Sequence, residues 1–158
     1  MEFSQEAFLA FLPAAKRATY AAQGAAAPVP ALLPGARQLE YRDGAFLYRD
    51  VYFGGAYFVG QETVYHADVP IWAMSYAGGV APTITADAEI AAIYAFLRAA
   101  LLQAPPERPY RGPQTVQDGP YTYADDSAGG LHAFWGRETI SHENRTIYAL
   151  RYSGGFLR

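Results

Sequence analysis

The sequence predicts an α+β domain: a helix-plus-antiparallel-strands unit, present twice and forming one pseudo-twofold domain. Three observations lead there. A long stretch of the chain recurs once, an amphipathic helical stretch precedes each copy, and within each copy apolar and polar residues alternate between glycine-containing turns.

Residues 43–79 and 118–155 align with a single one-residue adjustment inside a turn, and sixteen positions are then identical. Asp43, Gly44, Tyr48 and Asp50 match Asp118, Gly119, Tyr123 and Asp125, and Gly54 and Gly55 match Gly129 and Gly130. Phe58, Gly60, Glu62, Thr63 and His66 match Phe134, Gly136, Glu138, Thr139 and His142. Ile71, Ala73, Tyr76, Gly78 and Gly79 match Ile147, Ala149, Tyr152, Gly154 and Gly155. Chance produces scattered identities in a chain rich in Gly and Tyr, but it does not keep the order and spacing of three blocks. A long period occurring only twice is neither a solenoid nor a propeller. One domain over 1–158 is expected, with copies at about 3–81 and 85–157.

The first helix is capped by Ser4 and is expected to run to about Ala22, with Phe8, Leu12, Ala15 and Thr19 along one side and Pro13 kinking or dividing it. A Pro-containing connection, Ala26 to Ala36, leads to a short strand near Leu39 to Arg42. Asp43-Gly44 then reads as a two-residue hairpin turn with both central residues at positive φ. Three longer strands follow, ending at Tyr76. In the second copy Thr85 or Asp87 caps a helix with the stripe Ile90, Ile93, Tyr94, Leu97 and Leu101, and Pro105 and Pro106 stop it. After the connection Pro105 to Pro113, a short strand at Thr115 to Gln117, the Asp118-Gly119 turn and three strands ending at Tyr152 complete the unit.

Alternation assigns the faces. Phe134, Gly136, Glu138, Ile140 and His142 oppose Trp135, Arg137, Thr139 and Ser141, and the polar set belongs in water. By repeat, Phe58, Gly60, Glu62, Val64 and His66 also point inward. The same parity turns Phe46, Tyr48, Tyr121 and Tyr123 in, and Trp72, Met74 and Tyr76 with Tyr148, Leu150 and Tyr152, because Arg151 on the alternate face resists burial.

Composition bounds the function. With 158 residues and half of them apolar, a single core is expected. The net charge of −3 is spread along the chain, so neither nucleic acid nor a membrane surface is an expected partner. Cysteine is absent, which removes disulfides and thiolate chemistry. No run approaches the roughly 20 apolar residues of a membrane span, and Glu2 and Glu6 precede the apolar stretch from Ala10 to Ala14 where a signal peptide carries Lys or Arg. A soluble, cytoplasmic protein is expected.

The 13 Tyr, 9 Phe and 2 Trp imply an aromatic core or a lined pocket. Glu62 and Glu138 among those rings must be hydrogen-bonded, ion-paired or protonated. The candidate ligand-binding set is therefore Glu62, Glu138, Tyr48, Tyr123, Phe58, Phe134, Trp72, Tyr148, Tyr76 and Tyr152, with a planar or cationic small molecule as ligand. A structural or protein-interaction domain, whose rings are simply core, is the second reading; an acid–base enzyme on Glu62 and Glu138 is the third. A partner protein or a second copy of the chain fits the second. No cofactor or metal is expected. Glu and His four strand steps apart lie ~13 Å from one another and cannot share an ion. His66 and His142, at strand ends, read as solvated and His132 as exposed, and the four glycine pairs read as strand-end turns.

The segments Tyr48 to Gly54, Phe58 to Glu62, Pro70 to Tyr76, Pro109 to Pro113 and Tyr152 to Gly155 resemble DUF5680, a bacterial family of unknown function. Members of that family also occur behind helix-turn-helix segments in regulators of the XRE type. The resemblance thus implies a sensor module associated with transcription regulation, and no particular activity.

Overall fold

The computed structural model describes residues 3–19 and 29–158. Two helices, α1 (Gln5–Ala18) and α2 (Asp87–Leu101), accompany eight strands: β1 (Arg37–Asp43), β2 (Phe46–Gly54), β3 (Tyr57–His66), β4 (Val69–Val80), β5 (Thr115–Asp118), β6 (Tyr121–Gly130), β7 (Ala133–His142) and β8 (Arg145–Phe156). All belong to one antiparallel sheet of order β1-β2-β3-β4-β8-β7-β6-β5. Each half is a four-strand meander, and the two meanders join through their last strands, where Tyr76 faces Tyr152.

The helices lie on one face. Phe11 of α1 stacks on Phe46 at 5.0 Å, and Phe96 of α2 stacks on Tyr121 at 5.4 Å. The buried set of α1 is Phe8, Phe11, Leu12, Ala15 and Lys16; that of α2 is Ile93, Phe96, Leu97, Ala100 and Leu101. Both have the i, i+3, i+4, i+7, i+8 spacing of one helical face. The strand face beneath them carries Tyr48, Val64, Trp72, Met74, Tyr123, Ile140, Tyr148 and Leu150, all buried, as the alternation requires.

Several local expectations are corrected. Ser4 caps α1, its side chain accepting from the Ala7 amide, but Pro13 leaves the helix undivided because buried residues anchor it on both sides. The turn after Ala18 is capped at Thr19, and the expected continuation to Ala22, with the start of the connection at Ala26, lies outside the described residues. Neither Thr85 nor Asp87 caps α2: Ala86 occupies that position without a side-chain bond, and Asp87 and Glu89 in the first turn meet the helix dipole instead.

The strands β4 and β8 continue beyond Tyr76 and Tyr152. Gly78 and Gly79 lie inside the ladder opposite Leu150 and Ala149, so these glycine pairs are not turns. A Cβ at Gly78 would run into the Ala149 carbonyl, which is why the strands can approach there. The hairpins at Asp43 and Asp118 also differ from expectation. Asp43 pairs with Phe46 and Asp118 with Tyr121, so Gly44-Ala45 and Gly119-Pro120 are the central residues, with positive φ only at glycine, as in a type II′ turn. The type I′ geometry appears elsewhere, at Ala67-Asp68 and Glu143-Asn144, where all four residues have positive φ.

Candidate functional site

Four carboxylates point from the sheet into the core: Asp50 of β2, Glu62 of β3, Asp125 of β6 and Glu138 of β7, none more than 5% exposed. Sheet register puts them in pairs, Asp50 opposite Glu62 and Asp125 opposite Glu138. The two pairs are neutralised by different means.

In the second half the connection from α2 to β5 carries the counter-charges. Arg111 grips Glu138 in a fork: Nε donates to Oε2 at 2.8 Å and Nη2 donates to Oε1. The Tyr123 and Tyr148 hydroxyls add bonds of 2.9 and 2.7 Å to the same carboxylate. Three residues earlier Arg108 pairs with Asp125, which also accepts from the Tyr152 hydroxyl at 2.8 Å. Between the two arginines, the Tyr110 ring lies flat on Phe134, with centroids 4.2 Å apart and planes at 13°. Phe134 in turn stacks on Trp72.

In the first half a helix supplies the cation. Lys16 reaches Glu62 at 2.6 Å and donates to the Tyr110 carbonyl at 2.7 Å. In the matched buried sets of the two helices, Lys16 stands where α2 has Leu101. Asp50 accepts from the Tyr76 hydroxyl at 2.6 Å, but among the described residues it forms no ion pair and its Oδ2 accepts no hydrogen bond. Thr19 to Ala36, the sequence counterpart of the arginine-bearing connection, contains no Lys, Arg or His.

Burial and charge act on these groups together. Burial, then the charge of Glu62, pushes the Asp50 carboxyl up to about 7. Burial raises Asp125 to about 6 against the pull of its bond from Tyr152. Burial also lowers the Lys16 ammonium despite Glu62 beside it. The Tyr76, Tyr123 and Tyr148 hydroxyls are held well above the usual phenol range by burial and then by the carboxylates they face, so they act as donors.

A cavity of about 710 Å³ opens beside the first pair. Asp50, Glu62, Tyr76, Tyr52 and Phe58 from the sheet, Tyr94, Leu97, Arg98 and Leu101 from α2, and Arg37, Leu39, Thr19 and Arg111 contribute to its wall. Its size is that of a pocket for a drug-sized molecule. Gly60 lets the Tyr76 ring cross the sheet toward Asp50, since a Cβ there would strike the Tyr76 hydroxyl; Gly136 does the same for Tyr152.

Of the residues singled out by sequence, Glu62, Phe58 and Tyr76 line this cavity together. Glu138, Tyr123, Tyr148, Phe134 and Tyr152 form the closed cluster around Arg111 and Tyr110, with Trp72 stacked on Phe134 and Tyr48 fully buried in the core. His66 and His142 are half-buried against Phe46 and Tyr121, less open to solvent than expected, while His132 is exposed. Asp50, Asp125, Lys16, Arg108 and Arg111 were not singled out. The two Asp were within reach, being identities of the repeat on the same strand parity as Tyr48 and Tyr123. Lys16 follows Leu12 by one helical turn on the apolar stripe, which was a legible signal as well. Among the described residues no group of three His, Asp or Glu is gathered as metal ligands, and no helix is long and apolar enough to cross a membrane.

Comparison with known families matches the model described as "Domain of unknown function (DUF5680)" to residues 50–157, and the chain belongs to that family. Neither the curated proteins nor the solved structures gave a match.

Proposed function

We propose that this domain binds a planar or cationic small molecule in the cavity of its first half. We also infer that the two halves are a duplicated unit with pseudo-twofold symmetry, in which the second copy's equivalent site is filled by its own chain. The observation that carries the reading is Asp50: a buried carboxylate on the wall of an aromatic cavity, with one hydroxyl donor and no ion pair among the described residues, where its counterpart Asp125 has Arg108. The matched identities, the paired meanders and the repeated stacking of helix phenylalanines on Phe46 and Tyr121 support the duplication.

A thermal-shift screen with planar cationic dyes tests the binding. The expected result is a stabilising hit that disappears in Asp50→Asn; hits that survive this substitution unchanged would place the ligand elsewhere. Arg37 and Arg98 favour a second reading, because they line the same cavity and the buried Arg98 Nε meets no acceptor among the described residues. An anionic ligand held by these arginines would bind Asp50→Asn more tightly, not less, since the substitution removes a repelling charge. As a ligand-responsive module in the cytoplasm, the domain would act beside a DNA-binding partner, the arrangement implied by the family resemblance.

A further inference from the structure

We infer that the ligand of the first-half cavity is an aromatic molecule carrying a hydrogen-bond-donating cation, an amidinium, guanidinium or protonated amine, because the Arg108–Arg111 segment acts as a built-in version of that ligand in the second half. This rests on the binding function proposed above and names its chemistry. Arg108 brings an N–H cation to Asp125 Oδ2, and two residues later Tyr110 brings a flat ring to Phe134. The counterparts in the first half are Asp50 and Phe58. Phe134 is 4% exposed beneath Tyr110, whereas Phe58 is half-buried on the cavity wall with its ring tilted against Tyr76 and Tyr94. Both Asp125 oxygens accept from Tyr152 and Oδ2 accepts from Arg108 as well, whereas among the described residues Asp50 accepts only from Tyr76, at Oδ1.

A donor is needed, and not simply positive charge. A carboxylate on a cavity wall is satisfied best by a charge-assisted N–H bond, and a quaternary ammonium brings charge without an N–H to make one. An aryl amidinium supplies both N–H groups and a ring. Arg37 is exposed and Arg98 half-buried, so solvent screens their repulsion of the cation, and the buried Arg111 on the same wall has its charge met by Glu138.

Calorimetric titration of the full chain at pH 8 with benzamidine, phenyltrimethylammonium and benzamide tests this. One equivalent of benzamidine is expected to bind roughly tenfold or more tightly than phenyltrimethylammonium, the difference a charge-assisted hydrogen bond makes. Benzamide should bind no better than the quaternary ion. Asp50→Asn, checked by its melting curve to be folded, should remove the preference for benzamidine. Equal binding of benzamidine and phenyltrimethylammonium, both weakened by Asp50→Asn, would overturn the donor requirement and leave the cationic-ligand function standing. Absence of any binding up to millimolar concentration, or binding indifferent to Asp50→Asn, would overturn the function and this inference with it.

Discussion

The two halves place the same two acidic positions on the same strand face, yet answer them differently. The second half has two carboxylates and two guanidiniums, Asp125 with Arg108 and Glu138 with Arg111. The first half's two buried carboxylates, Asp50 and Glu62, have among the described residues one cation paired with them, Lys16 on Glu62. Where the closed half stacks Tyr110 on Phe134, the open half has a cavity beside Phe58. The same strand positions thus meet a sealed cluster in one half, under the segment from Arg108 to Arg111, and a cavity wall in the other.

Breaking the closed half should have the largest effect. Arg111→Met leaves Glu138 buried among Tyr123 and Tyr148 without its cation, and removing one partner of a buried pair costs about 3–5 kcal/mol. Urea denaturation should show this loss, with part of it recovered in Arg111→Met/Glu138→Gln, which takes the charge away as well. A single mutant as stable as the wild type would mean that Glu138 does not depend on the fork.

The next effect is a pH dependence located in the open half. Asp50 has its carboxyl raised from 3.8 to about 7 by burial and the neighbouring Glu62, with Tyr76, Lys16 and Arg111 acting in the opposite direction. A carboxyl with a raised folded-state pKa holds its proton more tightly when folded. Its contribution is therefore complete below about pH 4 and is lost as pH rises through about 7. Between pH 5 and 8 this amounts to on the order of 2–3 kcal/mol. Asp50→Asn should flatten that part of the stability curve; an unchanged slope would assign it to other groups, with Asp125 the first to examine.

Arg108→Ala sharpens the comparison by making the closed half resemble the open one. Because Arg108 is partly exposed, the expected loss is smaller, about 1–2 kcal/mol after allowance for solvent screening. Millimolar benzamidine should raise the melting temperature of this variant more than that of the wild type, since the vacated place on Asp125 then takes the probe. Equal shifts in both proteins would show that the two sites are not alike.

The smallest effect tests the turns shared by the halves. Ala67 is held at φ 48° and Glu143 at φ 48°, a region glycine enters without strain. Ala67→Gly and Glu143→Gly should each stabilise by up to about 1 kcal/mol, read from thermal melts; destabilisation by both would mean that the positive φ is not strained here.

The element order, the inward face and the ring-rich core were legible because period-two alternation was read twice, and the copy with Arg137 and Arg151 settled the faces for both. The glycine pairs misled, since in sequence a glycine needed for close strand approach, such as Gly78, looks like one needed for a turn, such as Gly54. Asp50 and Asp125 were encoded in the same parity. The asymmetry was not readable that way. It depends on Arg108, Tyr110 and Arg111, which lie outside the matched blocks, and on the connection between α2 and β5 folding back over β6 and β7, which no local pattern records.

The proposed site depends on the ionisation of Asp50 and on its response to a donor cation. Carboxyl-carbon NMR of the full chain, titrated from pH 4 to 9 with and without benzamidine, tests it most directly. The Asp50 midpoint is expected near 7 and should fall when benzamidine is added, while that of Asp125, near 6, should not move. An Asp50 that is already ionised at pH 5, with a midpoint unchanged by the probe, would contradict it.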